Sequence, residues 1–113
     1  MEFMENEVLC FDFTSCRYFK SSIDNLKRAI NALNQRRIDN PKHRTRLNEW
    51  YEVLDAPYTP PIDTGDRVGW ESYKNDNVFI EIEVSTELID KNQACVIVGL
   101  IPHPEYIGPK LEE

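Results

Sequence analysis

Ile23, Leu26, Ile30 and Leu33 recur at steps of three, four and three, which places them on one stripe of a helix over residues 21–37. Ser21 or Ser22 can cap the free amides at its start, and Arg36 and Arg37 suit the negative end of its dipole. Asp39, Asn40 and Pro41 break it. Leu47, Trp50, Tyr51 and Leu54 repeat the same spacing, so a second helix is predicted over Thr45–Leu54 with Thr45 as its cap. Two helices joined by a short polar turn form an antiparallel or angled pair.

The texture then changes. Residues 56–66 contain three prolines and a glycine, a composition that neither continues a helix nor pairs within a sheet, and they read as a partly extended connector. Arg67–Tyr73 reads as a first strand, with Gly69 a bulge or a point of close approach, and Lys74–Asn77 as a hairpin loop. Val78, Ile80, Ile82 and Val84 alternate with Phe79, Glu81, Glu83 and Ser85, the pattern of a strand wet on one face. Ala94–Ile101 is apolar at both parities and reads as a more central strand, ended by Pro102. Glu7–Phe13 fits either a fourth strand or a helical turn.

The expected fold is therefore α+β, with two N-terminal helices packed on a small three- or four-stranded antiparallel sheet. Residues 1–113 make one domain, with residues 1–20 and 102–113 peripheral or less ordered. Ile23, Leu26, Ile30, Leu33, Leu47, Trp50, Leu54, Ile80, Ile82, Val96 and Val98 are expected in its core, and Trp70 between helices and sheet.

Composition narrows the class. With 113 residues, 41% hydrophobic and 29% charged, the chain supports one modest core. Its longest apolar run, Ala94–Ile101, is far below the roughly 18 residues of a membrane span, and the acidic N-terminal residues do not resemble a secretory signal. Collagen, coiled coil, membrane span and disulfide scaffold are disfavoured, and a cytoplasmic location is expected.

Charge is unevenly spread. The net formal charge is −7, yet the segment Arg17–Arg46 carries +7 and the remainder −14. Such asymmetry fits internal attraction within one fold, a protein partner, or a nucleic-acid surface built from Arg28, Arg36, Arg37, Lys42, Arg44 and Arg46. A large acidic remainder opposes an approaching polyanion.

Signals for catalysis are weak. Cys10, Cys16 and Cys95 match no metal or redox spacing, and Cys95 reads as a small buried hydrophobe. Glu81 and Glu83 share one strand face near Asp76, as a magnesium-dependent nuclease could use, but no lysine follows them and a solvated face explains them better. His43 and His103 lack a second histidine at ligand spacing, and the glycines form no phosphate-binding loop. No catalytic residue, cofactor or metal is expected. Tyr58 and Tyr106 join the six cations as candidate contacts, because tyrosine and arginine commonly anchor interfaces.

Leu47–Leu54, reading Leu-Asn-Glu-Trp-Tyr-Glu-Val-Leu, leads through the connector to Gly-Asp-Arg-Val-Gly-Trp at 65–70. This arrangement resembles an uncharacterised family of small phage and prophage proteins, in which a Leu-Asn-x-x-Tyr-x-x-Leu helix precedes a Val-Gly-Trp strand. The resemblance covers Leu47 to Ile101 and implies a phage-related origin without an activity. Here Asp55, Ala56 and Pro57 stand where a glycine-containing helix end is expected. The expected function is a non-enzymatic accessory protein that binds a host factor or a copy of itself, with nucleic-acid binding through residues 27–46 as the alternative.

Overall fold

The computed structural model describes residues 7–55, 60–90 and 93–108. Its element order is β1 (Val8–Asp12), β2 (Arg17–Ser21), α1 (Ile23–Asp39), β3 (Thr45–Arg46), α2 (Leu47–Leu54), a 3-10 turn (Asp63–Asp66), β4 (Val68–Trp70), the single-turn α3 (Tyr73–Asp76), β5 (Glu81–Asp90), β6 (Gln93–Ile101) and β7 (Glu105–Tyr106). No helix among the described residues is long and apolar enough to cross a membrane.

The class is α+β, but the expected arrangement of two N-terminal helices on one antiparallel sheet is overturned. A hairpin, β1–β2, precedes the helices, and the strands form two sheets: β2-β1-β6-β5 and β3-β4-β7. The larger sheet is mixed. β1 runs antiparallel to β2 but parallel to β6, with Cys10, Phe11 and Asp12 beside Val96, Ile97 and Val98. Everything between β1 and β6 acts as their crossover, which a parallel pair requires. β6 lies between β1 and β5, where a strand apolar at both parities is at home.

The helices form much as their patterns require. Ser22 caps α1, its hydroxyl accepting from Asn25 N at 3.0 Å, while the Ser21 hydroxyl accepts from Asn25 Nδ2. Leu26, Ile30 and Leu33 are buried, whereas Ile23 at the first turn is largely exposed. α2 starts two residues later than expected because Thr45 pairs with Trp70 in the smaller sheet. Glu49 instead accepts from Arg46 N at 2.9 Å. Asp55 closes α2 in the left-handed region with φ 51°, the role a glycine commonly fills.

The expected strand Arg67–Tyr73 and its hairpin loop at Lys74–Asn77 are also corrected. Only Val68–Trp70 is strand, and Tyr73–Asp76 forms a helical turn that carries the chain from the small sheet to the large one. The cause is Arg37. Its buried guanidinium donates to the Glu71 and Val78 carbonyls at 3.0 and 2.8 Å, to Thr45 Oγ1 at 3.0 Å, and pairs with Asp76 at 3.3 Å. The chain folds around this cation rather than back on itself.

Asparagines fasten two other junctions by imitating a peptide group. Asn34 on α1 gives its amide to the Ile80 carbonyl at 2.8 Å and takes Ile80 N at 2.9 Å. Asn48 on α2 treats Ile62 the same way, at 2.8 Å in each direction, and also reaches Asp66. Gly69 is a point of close approach: a Cβ there would overlap the Thr45 carbonyl oxygen. The core joins Cys10, Phe19, Val98 and Leu100 of the sheet to Leu26, Leu33, Trp50, Tyr51 and Leu54 of the helices, with Trp70 and Ile80. Ile82 and Val96 pack partly buried against it.

Candidate interaction surface

The residues singled out for binding meet different fates. Arg28 donates to the Val53 carbonyl at 2.7 Å, capping the negative end of α2. Arg36 pairs with Glu52 at 3.0 Å and Glu49 at 3.6 Å. Arg37 is the buried junction described above. Arg44 pairs with Glu71 at 3.3 Å and donates to the Ile107 carbonyl. Arg46, also buried, holds the Asp66 and Gly108 carbonyls at 3.1 and 2.7 Å. Lys42 is exposed in the turn after α1, and Tyr106 is exposed on β7 opposite Val68. Tyr58 lies outside the described residues. Arg44, Arg46 and Tyr106 meet at the small sheet, while Arg28 and Arg36 lie along the α1–α2 contact. Five of the six cations are thus engaged by acceptors of the chain itself. Burial lowers Arg37 from the usual guanidinium range, an effect that Asp76 beside it opposes.

The other candidates do not converge. Asp76 is held by Arg37, apart from Glu81 and Glu83, and no group of three potential metal-ligating side chains occurs among the described residues. His43 lies 3.4 Å from Glu49, and His103 lies against the Phe13 ring.

What the assembled fold does expose is one face of the larger sheet. Cys10, Asp12, Phe19, Val98 and Leu100 turn inward to the helices; on the opposite face Phe11 and Ile97 are half-buried, Cys95 is buried, and Phe13, Tyr18 and Ile101 are exposed. Strand register aligns Tyr18, Phe11, Ile97 and Ser85 in one row across all four strands. Phe11 and Tyr18 pack edge to face at 5.0 Å. Phe13 (58% exposed) and Tyr18 (49%) stand open, with Ile101 further along the face. A Cβ added to Gly99 would meet nothing closer than Glu83 at 3.9 Å.

A buried polar cluster holds the turn that displays these aromatics. Tyr51 Oη on α2 donates to Asp12 Oδ2 at 2.7 Å, and the same oxygen accepts from the backbone N and hydroxyl of Ser15. Arg17 donates from Nε to Ser15 Oγ at 2.9 Å and stacks its guanidinium 4.9 Å from the Tyr51 ring centre. Burial and the neighbouring Asp12 carboxylate push the Tyr51 hydroxyl well above the ordinary phenol range. Sequence reasoning placed Tyr51 on a helical stripe but had no signal for its partner, 39 residues away.

The thiols follow burial. Cys10 and Cys95 are buried and Cys16 is exposed. Burial, with Cys95 adding to it, raises the Cys10 thiol from 9.0 to about 11; burial and then Glu87 raise Cys95. At pH 8, iodoacetamide is expected to modify Cys16 alone in the folded protein and all three thiols in urea, as mass spectrometry can count. Because unfolded Cys10 ionises before folded Cys10, its contribution makes stability fall as pH rises from about 9 towards 11. Replacing Cys10 by alanine is expected to remove that part of the alkaline loss in a pH series of urea melts.

The chain belongs to the family of unknown function DUF6353, whose model matches residues 2–107. It is also similar to the serine–tRNA ligases of Chlamydia muridarum and Chlamydia trachomatis serovar L2, each 41% identical over 54 residues. Those matches cover 48% of this chain and only 12% of each ligase. No solved structure matches significantly.

Proposed function

We propose that this member of a family with no assigned role is a non-enzymatic protein-binding module, acting through the open side of its four-stranded sheet. The observation that carries the reading is that row of outward apolar side chains, Tyr18, Phe11 and Ile97, flanked by Phe13 and Ile101 on a face left bare by both helices. Contiguous apolar surface of this kind is the usual mark of an interaction site. The resemblance to small phage and prophage proteins supports an accessory role in the bacterial cytoplasm, with another protein as the target.

The nucleic-acid alternative draws less support, because Arg28, Arg36, Arg37, Arg44 and Arg46 already serve acceptors of the fold. The short likeness to serine–tRNA ligases brings no activity with it. The test is capture from bacterial lysate, read by mass spectrometry, with wild type, Phe13→Ser/Tyr18→Ser and Arg36→Glu/Lys42→Glu. Both pairs are exposed, so the first variant is expected to melt close to wild type and the second somewhat lower, because Arg36→Glu sets like charge against Glu49 and Glu52. A protein retained by wild type and the second variant but lost by the first supports the reading. Equal capture by the first variant overturns it. So does tight nucleic-acid binding whose affinity falls with a log–log salt slope of about −0.9 per phosphate and is lost in the second variant.

A further inference from the structure

β5 is the longest strand among the described residues, and no described strand pairs with one of its edges. It ends the strand order, hydrogen-bonds to β6 on one side only, and is exposed at nine of its ten positions. α1 reaches its approach through Arg37, which holds the Val78 carbonyl, and through the Asn34–Ile80 clamp. Proteins commonly blunt such edges by keeping them short or by placing proline, a bulge or charged side chains, lysine above all, within them. β5 has no proline or lysine, and its one irregularity lies between Leu88 and Asp90, near the hairpin tip.

The edge carries two chemistries. Glu81, Glu83 and Glu87 project on the outer face, opposite Ile101, Gly99 and Cys95 of β6. Among the described residues none of the three carboxylates has a cationic or hydrogen-bonding partner. Val84 and Leu88 project on the inner face, yet they are 46% and 73% exposed. A second copy is a poor occupant: antiparallel pairing of two β5 strands lines these glutamates along one seam, between chains that each carry −7.

We propose that β5 receives an extended basic segment of a different protein as a fifth strand of the sheet. Main-chain hydrogen bonds along β5 hold the segment. Lysines or arginines at alternate positions meet Glu81, Glu83 and Glu87 on one face, and β-branched residues between them cover Val84 and Leu88 on the other. This rests on the protein-binding reading above and names the chemistry of the occupant.

The test uses the full chain and a fluorescent peptide alternating lysine with valine. Its controls are an analogue with glutamate for lysine and one N-methylated at alternate amides, which keeps the charge but cannot pair. The basic peptide is expected to bind about tenfold or more tighter than either control. Glu81→Lys/Glu83→Lys/Glu87→Lys is expected to reverse the charge preference, and Glu83→Lys alone to weaken the basic peptide in a chain disturbed less. Hydrogen exchange should show β5 amides newly protected. Equal affinity for the N-methylated peptide, protection confined to the outer face around Phe11 and Ile97, or dimerisation through β5 in place of peptide uptake would each overturn the proposal. If Phe13→Ser/Tyr18→Ser abolishes partner capture while no such peptide binds, the edge proposal fails and the sheet-face reading stands.

Discussion

Replacing Arg37 by methionine lowers the unfolding free energy by about 3–5 kcal/mol, the cost typical of breaking a buried, hydrogen-bonded ion pair. Methionine fills much of the same volume, so the loss falls on the polar groups that the guanidinium served. The Glu71 and Val78 carbonyls and Thr45 Oγ1 lose a charged donor, and Asp76 loses its cation. Those acceptors belong to β3 and to both ends of the α3 turn, so the junction between the sheets loosens together. Lysine at this position keeps the charge but lacks the planar fork, and is expected to recover only part of the loss. The neighbouring Arg36 is the control. Its pairs with Glu49 and Glu52 are partly exposed, and Arg36→Met is expected to cost no more than about 1 kcal/mol. Urea denaturation of the three variants, with the slope checked for two-state behaviour, reads the difference. Equal midpoints for Arg36→Met and Arg37→Met would contradict the role given to the buried cation.

Gly69→Val is the second large effect, with an expected loss of about 2–3 kcal/mol or more from overpacking. The new Cβ would overlap the Thr45 carbonyl oxygen and crowd Arg46 Cα, and both are main-chain atoms that no rotamer change can move. β3 and β4 would have to separate. Their ladder consists of two residue pairs, Thr45 with Trp70 and Arg46 with Gly69, so there is little to absorb the shift. Trp70, whose Nε1 donates to the Pro102 carbonyl at 2.6 Å, would be displaced with β4. Gly99 provides the contrast, because a Cβ there meets only ordinary contacts at 3.9 Å. Gly99→Ala is expected to be neutral or slightly stabilising, by about 0.4–1 kcal/mol, through lowered entropy of the unfolded chain. Thermal melts of the two variants separate a packed glycine from an open one; similar Tm values would sink the distinction.

Those contrasts also mark how far local pattern reaches. The α1 stripe, its serine cap, the α2 stripe, the central place of β6 and the burial of Trp50 and Trp70 were all legible, because each rests on residues close together in the chain. Close approach at Gly69 was one of the two readings open in the sequence, and the structure makes β3 the neighbour. β1 and β2 were obscure because each has only five residues. Inside them an inward-facing Asp12 and outward-facing aromatics blur the alternation that would reveal a strand.

Arginine shows the boundary most clearly. In the sequence, Arg36 and Arg37 are indistinguishable cations at the end of an amphipathic helix. In the fold, one is a surface ion pair and the other organises the passage between two sheets. The difference is about 100° of rotation around the helix axis, which decides whether a guanidinium meets water or the carbonyls of residues 71 and 78. The sequence by itself determined the two longer helices, the place of β6 inside its sheet, and that the charge is divided between segments. Tertiary structure decided which cations are spent inside the protein, which sheet face is left open and which edge is unpaired. Those outcomes depend on contacts between residues tens of positions apart, and period and composition carry no record of such partners.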